Sequence, residues 1–208
     1  MPAIFFDLDG TLFDTRADLA ATVNHTRRDL GLAEIEVEKV ISFVGHGAAY
    51  LLSNAIPERK GEDVRAIFRS HYAEHCCDQL KPYPGVLETL EELRRRGYGL
   101  GVNTNKPNFA AKAIFEKFGI ARHFGDAVIA GGDGFPLKPD PASLRACAAR
   151  MGHALSPDDW MVGDSHPDLR CAEAAGVKSA FCTFGFGRQD DAPCTVRLDA
   201  FADLLSVL

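Results

Sequence analysis

Apolar positions fall along this chain in two rhythms. Ala3-Ile4-Phe5-Phe6 is an unbroken apolar run closed by Asp7-Leu8-Asp9-Gly10-Thr11. Short continuous runs of this kind suit strands buried on both faces of a parallel sheet. From residue 16 to 80 the rhythm is helical. Residues 16–32 place Leu19, Val23 and Leu30 among polar neighbours, and residues 37–44, 47–56 and 63–77 read likewise, with Pro57 and Gly61 separating the last two. No convincing strand interrupts that block. Beyond Lys81-Pro82-Tyr83-Pro84-Gly85 the two rhythms alternate. Helices are predicted over 86–96, 107–118, 141–151, 165–175 and 200–207, and strands over 98–103, 127–130, 160–162 and 178–182. Gly97 stops the first of these helices and Pro107 opens the second. Alternation of this kind predicts an α/β fold with a Rossmann-like parallel sheet, helices on both faces, and a small α-helical domain inserted after the first strand. The expected division is residues 1–14 and 82–208 for the α/β core and 15–81 for the insert, with Pro82 and Pro84 marking the return.

Composition narrows the classes. At 208 residues, 46% hydrophobic and 25% charged, the chain can bury an ordinary core. A net charge of −6 argues against nucleic acid or an anionic membrane as partner, since both reward clustered Lys and Arg. It leaves room for a small anionic substrate. No run approaches the ~20 apolar residues that span a bilayer, and Asp7 and Asp9 interrupt the apolar start too early for a signal peptide. A cytoplasmic protein is therefore expected, with the six cysteines reduced. Nothing in the pattern dictates an oligomer beyond a monomer or homodimer.

In an open α/β sheet, ligands sit outside the carboxyl ends of the strands. The first strand delivers Asp7 and Asp9 there, and the second Asn103-Thr104-Asn105-Lys106. The loop after the third delivers Lys138, and the fourth Gly163-Asp164-Ser165 with Asp168 one turn into the next helix. Each has an ordinary reading when taken singly. The first group is a strand-ending turn, Thr104 a helix cap, Lys138 a solvated loop lysine, and Asp164 an N-cap. Four such coincidences on successive strand ends of one sheet edge are not expected. Together the residues suit phosphoryl transfer. One carboxylate attacks phosphorus, a second protonates the leaving oxygen, and others hold a hard divalent cation, while a hydroxyl and an ammonium meet the phosphoryl charge.

At these residues the chain resembles the haloacid dehalogenase-superfamily phosphatases. Asp7-Leu8-Asp9-Gly10-Thr11 matches the first motif of that family, Thr104 the second, Lys138 the third, and Gly163-Asp164-Ser165-x-x-Asp168 the fourth, in the family's order. The resemblance implies that Asp7 is the nucleophile and Asp9 the general acid/base. It further implies that Asp7, Asp164 and the backbone carbonyl of Asp9 bind Mg2+ with Asp168 in support, and that the helical block is the family's cap. A closer likeness, to the phosphoglycolate phosphatases, rests on residues 7–14, on residues 40–52 with Gly45-His46-Gly47 among them, and on residues 102–106 with Gly131-Gly132-Asp133. It implies a small phosphorylated metabolite as substrate, 2-phosphoglycolate first.

Candidate substrate contacts are Thr104, Asn105, Lys138, Gly47, His46 between two glycines and Arg16 at the hinge. Each of the last two has a plain alternative, a helix cap for His46 and a solvated arginine for Arg16. Phosphosugar phosphatase, pyrophosphatase and phosphosugar mutase activities on the same scaffold remain open, as does a non-catalytic binding role. Gly45-x-Gly47 lacks the third glycine of a dinucleotide fingerprint. His71, His75, Cys76 and Cys77 lack the second pair of a zinc set and read as packed helix residues.

Overall fold

The computed structural model describes residues 2–59 and 61–208. In chain order its elements are β1 (Ala3–Phe6), β2 (Phe13–Asp14), α1 (Arg16–Asp29), α2 (Val37–Ile41), α3 (Ala48–Ala55), α4 (Glu62–His75) and β3 (Lys81–Pro82). There follow α5 (Val86–Arg95), β4 (Gly99–Pro107), α6 (Asn108–Phe118), α7 (Ala121–Phe124), β5 (Val128–Gly131), α8 (Ala142–Arg150) and β6 (Trp160–Gly163). The chain closes with α9 (His166–Ala175), β7 (Lys178–Cys182), β8 (Val196–Leu198), a 3-10 turn at Phe201–Asp203 and α10 (Leu204–Val207).

Six strands form one parallel sheet in the order β5-β4-β1-β6-β7-β8. The chain winds outward from β1 in one direction through β4 and β5, then in the other through β6, β7 and β8. The order therefore reverses beside β1, which is where a crevice opens in sheets of this kind. Successive side chains of a strand point to opposite faces. Ile4 and Phe6 accordingly join Val102, Leu90, Ile114 and Phe201 in one hydrophobic cluster, and Ala3 and Phe5 join Ile129, Leu144, Met161 and Cys171 in another. Helices cover both clusters, so β1 is buried on both faces, and its unbroken apolar run follows from that.

The four helices between β2 and β3 build a cluster of their own, with Leu19, Val23, Leu51, Ile56, Phe68 and Tyr72 at its heart. Ala110 of α6 is the core residue that joins it, so this helical segment rests on α6. The buried Arg27 guanidinium ties the segment internally, donating to the carbonyls of Ala33 and Ala55 and pairing with Glu58 at 3.0 Å. The two chain crossings into the segment are themselves paired: β2 and β3 form a short antiparallel ribbon, Phe13 opposite Pro82 and Asp14 opposite Lys81. Asp18, buried at the start of α1, accepts from the backbone N–H groups of Gln79 and Leu80, both at 2.9 Å.

Several expectations are adjusted. The strand predicted over 98–103 continues to Pro107, because Thr104, Asn105 and Lys106 stay extended and buried. The helix over 37–44 stops at Ile41, where Phe43 and Val44 turn back onto Val40 and Ile41. The single helix over 200–207 is a 3-10 turn followed by α10. The ribbon, α7 and β8 were not expected at all. Among the described residues no helix is long and apolar enough to cross a membrane, and all six cysteines are free. His71 and His75 pair with Asp29 and Asp78 at 2.7 and 2.9 Å, as half-buried helix residues do.

Candidate active site

β1 ends on Asp7, whose N–H donates to the carbonyl of Val162 on β6 and so stays in register with the sheet. Its carboxylate is buried, and Oδ1 accepts from Lys138 Nζ at 2.7 Å. That ammonium also donates to Asp168 Oδ1 at 2.6 Å and to the carbonyl of Asn103 at 2.6 Å. An ammonium has three donors, so Lys138 is fully engaged behind Asp7 instead of facing the cavity. Burial works against its charge, but Asp168 and Asp7 outweigh burial and hold the ammonium above the usual lysine range. Burial in turn pushes the Asp7 carboxyl up to about 6, Lys138 opposing and Asp168 and Asp9 adding to the rise.

The opposite wall is built at the N-terminus of α9. Asp168 reaches back to Ser165, its Oδ2 accepting from the Ser165 N–H at 3.0 Å and from its hydroxyl at 2.6 Å. Asp164 Oδ2 accepts from the N–H groups of Phe186 and Gly187 at 2.9 and 2.7 Å. The loop after β7 can approach so closely because it is glycine there: a Cβ on Gly185 would lie 2.3 Å from the Asp164 Cβ. Gly10 closes the same space from the other side. At φ +75° it occupies a left-handed conformation, and a Cβ there would lie 1.8 Å from Asp164 Oδ2.

Asp7, Asp164 and Asp168 each offer an oxygen within 4.8 Å of the others, all buried. Burial, then the charges of Asp168 and Asp7, push Asp164 well above the usual carboxylate range. Three buried carboxylates facing one ammonium leave an excess of negative charge, which protons or a cation must offset. All-oxygen donors of this kind suit a hard divalent ion.

Asp9 stands apart from this cluster. Its Oδ1 accepts from Lys106 Nζ at 2.7 Å, and the same ammonium donates to the hydroxyl of Tyr72 on α4. Asp9 and Asp7 both line a cleft between the sheet edge and the helical segment. Thr104 lines it too, its Oγ1 accepting from the Lys106 N–H at 3.2 Å. Leu19, Val44, Leu51 and Phe68 form the far wall.

These side chains are presented by a sheet and helix order that other proteins share. Residues 4–182 match the haloacid dehalogenase-like hydrolase family. The chain belongs to that family. A phosphoglycolate phosphatase of Agrobacterium fabrum is 36% identical to this haloacid dehalogenase-like hydrolase over 220 residues, covering 100% of this chain and 92% of its own. Phosphoglycolate phosphatase 1 of Pseudomonas aeruginosa is 37% identical over 218 residues, covering 97% and 78% respectively. Among solved structures, a predicted phosphoglycolate phosphatase of Haemophilus somnus superposes with a TM-score of 0.91 at 30% identity, over 100% of this chain and 97% of that one.

Within this hydrolase the structure brings Asp7, Asp9, Thr104, Asp164 and Gly47 to the cavity, with Lys138 and Asp168 directly behind. Lys138, expected to contact the substrate, has its three donors spent behind Asp7, and two further expected contacts lie elsewhere. His46 is exposed and stacks on Tyr50 with ring centroids 4.7 Å apart, because Gly45 and Gly47, both at positive φ, turn the backbone inward and the imidazole out. Arg16 is exposed, pairs with Asp14 at 2.6 Å, and lines a neighbouring cleft. Asn105 lines the cavity, but its amide is used internally: it donates to the carbonyls of Gly45 and Lys138 and accepts from the Lys138 N–H at 2.8 Å. It thereby latches the helical segment to the sheet. Sequence reasoning brought Lys106 to the sheet edge without a role, and missed Tyr72 and the Phe186-Gly187 backbone. Gly185-Phe186-Gly187, two glycines around an aromatic just after a predicted strand, was the available signal for the last.

Proposed function

We propose that this hydrolase cleaves a small phosphomonoester, 2-phosphoglycolate first among candidates, through an aspartyl-phosphate intermediate. The observation that carries the reading is the pairing of two carboxylates in one cleft, Asp7 tied to Lys138 and Asp9 tied to Lys106. Asp7 Oδ2 has no hydrogen bond among the described residues and is the attacking atom. As the Oδ2–P bond forms, the ester P–O bond breaks and the departing oxygen takes a proton from Asp9. Asp9 then takes a proton from water as that water attacks phosphorus, and the Asp7–phosphorus bond breaks to release phosphate. The Thr104 hydroxyl keeps its hydrogen free for a phosphoryl oxygen.

Lys138 holds Asp7 and Asp168 at fixed spacing. Asp7, Asp164 and Asp168 are the residues that would hold Mg2+, with the Asp9 carbonyl as the family resemblance implies. When bound, the ion supplies positive charge against the phosphoryl oxygens and the carboxylates. Residues 15–81 act as the cap that excludes bulk water. The names of the relatives support the substrate.

The test is phosphate release from a panel of 2-phosphoglycolate, sugar phosphates, nucleoside monophosphates and pyrophosphate, with and without Mg2+. Mg2+-dependent preference for 2-phosphoglycolate, absent in Asp7→Asn, is expected. Equal turnover by Asp7→Asn would refute the nucleophile.

A further inference from the structure

Lys106 is the one cationic side chain among the described residues lining the cavity. Lys138 spends its three donors behind Asp7, Arg16 pairs with Asp14 outside, and His46 faces solvent. Lys106 Nζ is buried and has two partners, Asp9 Oδ1 and the Tyr72 hydroxyl. One of its three N–H donors is therefore uncommitted. Tyr72 is buried as well and accepts from Lys106, while no acceptor among the described residues takes its own O–H. Two donors on adjacent atoms thus border one cavity, and the neighbouring wall of Leu19, Leu51 and Phe68 has no polar group to offer a sugar hydroxyl. A buried, unspent donor pair needs an acceptor, and a charged acceptor is the stronger one.

We propose that Lys106 Nζ and the Tyr72 hydroxyl form the subsite for a carboxylate on the leaving group, which makes this enzyme selective for short phosphoxy carboxylates over sugar and nucleotide esters. The subsite presupposes the phosphomonoesterase site described above. It places the specificity element across the junction of the two parts, Lys106 on β4 and Tyr72 on α4. A substrate carboxylate therefore engages both parts at once.

The test compares 2-phosphoglycolate with isobutyl phosphate, which has the same heavy-atom count and branching and lacks the carboxylate. The readout is the ratio of kcat/KM for the two substrates in wild type, Lys106→Met and Tyr72→Phe. Loss of Lys106 also leaves Asp9 unpaired, but that harms both substrates and cancels in the ratio. The ratio is expected to fall about 100-fold in Lys106→Met and about 10-fold in Tyr72→Phe, the range of a hydrogen bond to a charged group. A ratio within threefold of wild type in both variants would overturn the subsite and leave Lys106 acting through Asp9 alone. Should Lys106→Met not fold, Tyr72→Phe decides by the same criterion. Wild type that hydrolyses both esters equally also overturns the subsite while the phosphatase stands. Wild type that hydrolyses neither, nor any ester of the panel, refutes the phosphatase.

Discussion

Replacing Lys138 by Met removes one ammonium from between three acceptors, Asp7 Oδ1, Asp168 Oδ1 and the Asn103 carbonyl, at 2.7, 2.6 and 2.6 Å. The side chain that remains is of similar length and fills much of the space. What is lost is charge. Breaking a buried ion pair by deleting one partner costs roughly 3–5 kcal/mol. Two carboxylates lose their partner here, but the cost does not double. Asp7, already pushed up to about 6 with Lys138 present, takes a proton instead of remaining charged. An overall loss of about 4 kcal/mol at pH 7.5 corresponds to a Tm decrease on the order of 8–16 °C for a chain of this size. The pH dependence has a definite sign. A carboxyl raised by folding favours the fold when protonated, so its contribution is present at low pH and is lost as pH rises through about 6. The Lys138→Met deficit should therefore shrink between pH 7.5 and pH 5. Thermal unfolding of metal-free wild type and variant at the two values measures it. A deficit below about 2 °C at pH 7.5, or one that grows on acidification, would refute the account of Lys138 as the charge that holds Asp7 and Asp168 together.

Further outcomes follow from the same geometry. Mg2+ must compete with a proton on Asp7, pushed up to about 6 by burial, so its affinity should fall as pH drops below 6, by about tenfold per pH unit for that proton, as titration calorimetry at pH 7.5 and 5 would show; Asp164, raised by burial too, adds to the fall. Gly10→Ala drives a methyl into Asp164 Oδ2 and should abolish Mg2+-dependent turnover. Gly31→Ala, also at positive φ but with nothing within 4 Å, should cost only ~1–2 kcal/mol and leave kcat unchanged. Asn105→Ala releases the Gly45 carbonyl and the Lys138 N–H and should lower kcat/KM about tenfold without moving the Asp7 chemistry, seen as unchanged phosphoryl-enzyme trapping. A normal kcat/KM would show that the latch is not needed for closure.

The ends of β1 and β6 were legible because each follows an apolar run that suits a doubly buried strand, and a carboxylate stands out sharply at the end of such a run. What escaped had no comparable contrast. β2 and β3 are two residues each and exist only through each other, across an insert that neither periodicity spans. β8 is a three-residue edge strand with an exposed Arg197. Phe186 and Gly187 hold Asp164 through backbone N–H groups, which any residue possesses, so only the crowding that demands glycine marks them. Tyr72 reads as one apolar position on an amphipathic helix, and its hydroxyl gains meaning only when Lys106, 34 positions later, comes to it. With His46 the glycines correctly signalled a tight turn, but the side of the backbone that faces inward is a matter of dihedral angles, not of composition.

The β2–β3 ribbon makes the helical segment a module in the genetic sense. Residues 15–80 leave the fold at Asp14 and return at Lys81, which are paired neighbours across the ribbon, so the two ends lie about 5 Å apart. A stretch of coding sequence bounded by such neighbours can be cut out, lengthened or exchanged, and the sheet behind it meets the same two chain ends in the same place. Asp7, Lys138, Asp164 and Asp168 all lie outside that stretch. Recombination at this one point can therefore supply a new wall, and with it a new leaving group, while the phosphorus chemistry is inherited unchanged.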